Sequence, residues 1–67
     1  MKLKLGDKLI LDNGDTVTIE WKCEGKVSSY GCIDPTPNHW NDFEWLEDGT
    51  PYNRHVPKIV SVNGEVV

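Results

Sequence analysis

The chain contains no alanine and no glutamine, and only one methionine in 67 residues. Two strong helix formers are therefore missing, whereas Val, Ile and Thr supply fifteen residues suited to a pleated, half-buried surface. No apolar run approaches the ~20 residues that a membrane-spanning helix requires, so no membrane partner is expected. The opening Met1-Lys2-Leu3-Lys4-Leu5-Gly6-Asp7 also lacks the continuous apolar stretch of a secretory signal, and a cytoplasmic location is expected. In that compartment Cys23 and Cys32 should be thiols packed as small hydrophobes.

Cations are in short supply. Seven Lys and Arg face eleven Asp and Glu, for a net charge of −4. The cations are scattered through the sequence, so the stripe that tracks a phosphate backbone is missing and long nucleic acid is not an expected partner. The acidic residues are equally dispersed and read as a solvated surface.

Catalytic and metal motifs are absent as well. Cys23, Cys32, His39 and His55 are nominal ligands, but no Cys-x-x-Cys or His-x-x-x-His spacing preassembles a tetrahedral site, so neither metal nor cofactor is expected. Cys32 with His39 or His55 has no local signature of a nucleophile and its base. Gly14, Gly25 and Gly31 read as isolated turn or bulge glycines, not as a phosphate loop. Glu44 with Glu47, or Asp42 with Glu44, reads as charge on the wet side of a strand. A non-enzymatic protein is expected.

What is present is dense punctuation. Six Gly, four Pro and several Asp and Asn leave only short segments between turns, as a small barrel or sandwich requires. Lys8 to Asp12, a two-residue Asn13-Gly14 turn and the alternation Thr16-Val17-Thr18-Ile19-Glu20-Trp21 predict a first hairpin, with Val17, Ile19, Trp21 and Cys23 on its buried face. The Glu24-Gly25-Lys26 turn admits two registers. A three-residue loop sends Val27 and Ile33 inward and is preferred; a two-residue loop turns Tyr30 and Cys32 inward. Residues 34 to 41 read as a proline-restricted loop or a single helical turn capped by Thr36. Residues 42 to 47 predict a strand with Phe43 and Trp45 on one face, followed by an Asp48-Gly49 turn. Lys58 to Val62 predicts a β-branched strand, onto which Asn63-Gly64 folds the tail. The expected fold is one all-β domain over residues 1–67: a five-stranded antiparallel SH3-like barrel or strongly bent sheet.

Six aromatics are more than so thin a core needs. Trp40, Tyr52, Arg54 and His55 fall in polar, proline-containing segments, where function collects on loops. With Lys58 they form the candidate ligand-binding set: rings to stack a base, cations to take a phosphate. The same residue types suit a protein–protein hot spot. Surplus apolar area also favours a homo-oligomer.

The succession of Asn13-Gly14, an alternating strand, the Tyr30-bearing strand, Trp45-Leu46-Glu47-Asp48-Gly49 and Ile59-Val60 resembles a group of short accessory proteins encoded by bacteriophages. The resemblance covers most of the chain. It departs where that group often has Tyr followed by Pro, since this chain has Tyr30-Gly31, and in a longer, proline-richer segment from Asp34 to Asn41. The resemblance implies a viral protein acting in the host cytoplasm, where some similarly small phage proteins assemble as oligomers and sequester nucleotide signals of host immunity. The expected function is therefore anti-defence capture of a small nucleotide-like ligand, or else binding and inhibition of a host protein.

Overall fold

The computed structural model describes residues 2–33 and 42–67; Trp40 and the expected loop or helical turn at 34–41 lie outside the described residues. Among the described residues seven short strands follow one another: β1 (Lys8–Leu11), β2 (Thr16–Thr18), β3 (Trp21–Cys23), β4 (Ser29–Ile33), β5 (Asp42–Leu46), β6 (Ile59–Val62) and β7 (Glu65–Val66). They form two antiparallel sheets, ordered β2-β1-β6-β7 and β3-β4-β5. The all-β class is as expected. The single five-stranded barrel or bent sheet is not: the described residues form two sheets and no closed barrel.

The difference arises at one point. The alternation from Thr16 to Cys23 reads as a continuous strand, but the backbone changes partners in its middle. Ile19 exchanges hydrogen bonds with the 6–7 segment, donating to the Asp7 carbonyl (2.9 Å) and accepting from Gly6 N–H (3.1 Å). Glu20 N–H instead donates to the Gly31 carbonyl (2.8 Å), and the Glu20 carboxylate accepts from Ile33 N–H (3.0 Å). Val17 and Ile19 point into the core as expected, whereas Trp21 is half-buried on the outer face of the second sheet and Cys23 is exposed.

The inner faces of the two sheets share one core. Leu9, Leu11, Val17 and Ile19 come from one side, Tyr30, Cys32, Phe43 and Trp45 from the other, and Leu3 and Val56 from flanking segments. Trp45 is fully buried, and its indole N–H donates to the Pro57 carbonyl (2.9 Å), so its polar edge is satisfied. Phe43 meets Trp45 edge to face at 6.0 Å.

The preferred register of the second hairpin is overturned. Cys23 pairs with Ser29, leaving 24–28 as a longer loop, and Tyr30 and Cys32 point inward opposite Trp45 and Phe43. Val27 and Ile33 are 58% and 53% exposed. Burying a tyrosine ring against two aromatics removes more apolar surface from water than burying two aliphatic chains at the sheet margin. Gly31 is correspondingly not a turn or bulge glycine: it lies mid-strand opposite Trp21, whose indole covers it.

Turn chemistry follows the sequence closely, with one correction. The first hairpin closes through a three-residue loop, Asp12-Asn13-Gly14, because Leu11 N–H donates to the Asp15 carbonyl and Gly14 N–H to the Leu11 carbonyl. Only Gly14 takes positive φ (90°), and the Asn13 side chain accepts from Asp15 N–H (2.9 Å). The same construction recurs after β5, where Gly49 has φ 92° and Asp48 accepts from Thr50 N–H (2.9 Å). That bond holds the Asp48 carboxyl below its ordinary pKa. The last hairpin does use two residues, Asn63 and Gly64, both at positive φ.

A Cβ on Gly31 falls 2.5 Å from Trp21 Nε1 and 2.7 Å from the Phe43 carbonyl oxygen, whereas one on Gly25 meets nothing closer than 3.9 Å. Gly31→Ala is therefore expected to lower unfolding free energy by about 2 kcal/mol through overpacking. Gly25→Ala should change it by less than about 1 kcal/mol, in the stabilising direction. Urea denaturation of the two variants beside the parent chain checks both signs.

Candidate functional site

The sequence-derived set is only partly assembled. Tyr52 is 53% exposed, and its backbone N–H donates to the Glu44 carbonyl (3.0 Å), so the segment after the Asp48-Gly49 loop runs back along β5. His55, in the turn that follows, reaches the same strand: its Nε2 is 3.1 Å from the Asp42 carbonyl oxygen, and its ring tilts over Phe43 at 6.3 Å. Arg54 is exposed between them. Lys58 is exposed but stands just before β6, which begins one residue later than expected, beside the other sheet, where its carbonyl accepts from Asp12 N–H (2.9 Å). Trp40 lies outside the described residues.

The cations that do converge come from elsewhere. Leu3 is fully buried and anchored by its N–H to the Glu47 carbonyl (2.9 Å), so the alternation of Lys2-Leu3-Lys4 leaves both lysines exposed beside it. A turn then reverses the chain, with Gly6 at φ 84°, Asp7 N–H donating to the Lys4 carbonyl (3.2 Å) and the Asp7 carboxylate accepting from Lys4 N–H (2.9 Å). Lys22 on β3 completes the arrangement. A groove of about 720 Å³ is lined by Lys2, Leu3, Lys4, Leu5, Lys22 and Tyr30.

Lys22 is held in place. Its Nζ is 3.2 Å from Glu24 Oε1 and 5.7 Å from the centre of the Tyr30 ring. Hydrogen bonding to Glu24 raises its pKa above 10.5, with Tyr30 adding to the effect. Lys2 Nζ stands 4.0 Å from Glu47 Oε1, a loose surface pair that a ligand can displace at small cost. The apolar lining of this groove is Leu5, which is exposed, with buried Leu3 and Tyr30 at its floor.

A second, smaller cleft of about 320 Å³ opens on the outer face of β3-β4-β5, lined by Cys23, Ser29, Glu44, Tyr52 and the 24–27 loop. Glu44 is half-buried, and its Oε2 accepts from the Ser29 hydroxyl (3.1 Å). Cys23 faces this cleft while Cys32 is buried in the core on the opposite side, so the two sulfurs do not meet. Among the described residues no group of three His, Cys, Asp or Glu is placed to hold a metal ion, and no helix is long and apolar enough to cross a membrane.

No protein-family model, no curated protein and no solved structure matches this chain.

The raised Lys22 pKa has a direction in stability. A cation favoured by the folded state contributes fully below its unfolded value of 10.5, and that contribution is lost as pH rises through the higher folded value. Thermal melts recorded from about pH 9 to about pH 12 should show a decline in the parent that is shallower in Lys22→Met.

Proposed function

We propose that this domain is a non-enzymatic binding module that captures a small nucleotide-like anion in the groove formed by Lys2, Lys4 and Lys22. The observation that supports it is the gathering of three of the chain's seven cations around one partly apolar groove on a protein of net charge −4. On an acidic surface, a local cluster of ammonium groups selects for phosphate or carboxylate, and Leu5 with the lysine stems supplies an apolar bed for a flat ring. In this reading Lys2, Lys4 and Lys22 take the part that the sequence predicts for Arg54 and Lys58.

The phage resemblance directs this reading further: a viral protein in the host cytoplasm that withholds a nucleotide signal from host defence, working as a homo-oligomer. Ile10, Val60 and Val66, all exposed on the four-stranded sheet, supply apolar area for self-association. A second reading, inhibition of a host protein, draws on exposed Tyr52 and Arg54 beside β5.

Titration calorimetry against linear and cyclic mono- and dinucleotides tests the capture reading. Binding should weaken on adding salt and should fall roughly tenfold in Lys4→Ala and in Lys22→Ala, each of which removes a charge-assisted contact. Absence of heat with every nucleotide overturns it.

A further inference from the structure

We propose that the outer-face cleft at Glu44 and Tyr52 is a separate site that takes the guanidinium of an arginine side chain from a basic partner peptide. It goes beyond nucleotide capture and does not depend on it, since none of the six residues lining the lysine groove lines this cleft.

Three observations carry the assignment. Glu44 is a half-buried carboxylate whose position is fixed by the hydroxyl of Ser29, itself only 4% exposed. The ion pairs among the described residues engage Glu47 and Glu24, so among those residues Glu44 has a hydrogen-bond donor but no cation. A carboxylate drawn partly out of water gains most from a charged donor, and Oε1 with the remaining lone pair of Oε2 can accept from one.

The second observation is the ring beside it. Tyr52 lines the cleft with its phenol half in solvent, and its backbone is pinned to Glu44 by the N–H to carbonyl bond. That bond sets the two backbones side by side, and carboxylate and ring line the same cleft. A planar guanidinium satisfies both at once, stacking on the ring while donating to the carboxylate; an ammonium satisfies the charge but not the plane.

The third is the surrounding field. Trp21, Gly31 and Glu44 are cross-strand neighbours on the outer face, with the indole covering Gly31. Asp42 lies two residues along the same strand face, and eleven acidic residues against seven cations draw basic partners to the surface. Lys26 on the cleft rim is the chain's own competitor for Glu44.

The test uses the full chain, labelled with 15N, and the capped tripeptide acetyl-Gly-Arg-Gly-amide beside its citrulline counterpart, which keeps the planar shape without the charge. The arginine peptide should shift the amides of Glu44, Tyr52 and Ser29 and the indole N–H of Trp21, and the citrulline peptide should not. Glu44→Gln, which keeps an acceptor for Ser29, and Tyr52→Leu, on an exposed ring, should each weaken binding roughly tenfold while the remaining spectrum stays that of the folded parent. Lys4→Ala should leave the arginine response intact. Equal shifts with both peptides, or no shift at the cleft, overturns the assignment. Binding that emerges only in Lys26→Met also overturns it, because Lys26 then occupies the site.

Discussion

The carboxylate of Asp7 and the amide of Asn63, separated by 56 positions in the chain, hold the remaining elements in place. Asp7 is 4% exposed, a depth at which an aspartate requires partners for both oxygens. Oδ1 accepts from Asn63 Nδ2 (3.0 Å) and Oδ2 from Lys4 N–H (2.9 Å). Asn63 in turn accepts from Lys8 N–H through its side chain (2.9 Å) and donates its own N–H to the Lys8 carbonyl (2.7 Å). The Asp7 carbonyl takes the N–H of Ile19, where the chain passes from one sheet to the other. One polar cluster thus fixes the N-terminal turn that carries Lys4, the β6-β7 turn and the crossover between sheets. Removing the Asn63 side chain strands one oxygen of the buried Asp7 carboxylate, a loss of about 1–3 kcal/mol in a domain with little to spare.

Most strands could be read from the chain because their signals are local. Asn63-Gly64 forces a two-residue turn by positive φ, and the alternation of Phe43 and Trp45 survives intact in β5. The crossover at Ile19 and Glu20 was not legible, since alternation continues smoothly through it and only distant partners, Asp7 and Gly31, reveal the change. The register of β4 depended on a comparison of buried areas that spacing alone does not supply. Gly31 carried the hint: a glycine within a strand marks a close approach, and the approaching group is Trp21.

The binding surface was harder to anticipate. Tyr52 and His55 do converge on β5, because both lie in the segment that returns along it. Along the sequence the lysines are scattered; Lys22 joins Lys2 and Lys4 only because Leu3 docks its segment beside Glu47. The alternating Lys-Leu-Lys-Leu start was the available signal, since a buried Leu3 obliges its neighbours to face outward. β3 then divides the charge: Lys22 lies on the side of the lysine groove, while Cys23 lies on the side of Glu44.

The pairing of β1 with β6 also sets the order in which this chain acquires its structure. The loops closed by Gly14, Gly49 and Gly64 join near neighbours, and such hairpins form within about 1–10 μs. Leu9 meets Val62 only after the whole intervening chain has been gathered, an entropic cost that grows slowly with length but is met before any contact repays it. Until β6 arrives, β1 and β2 are a bare two-stranded ribbon, which has little stability alone in water. Assembly should therefore be all-or-none, with early hairpins as transient visitors and closure of the two distant strands as the rate-limiting event.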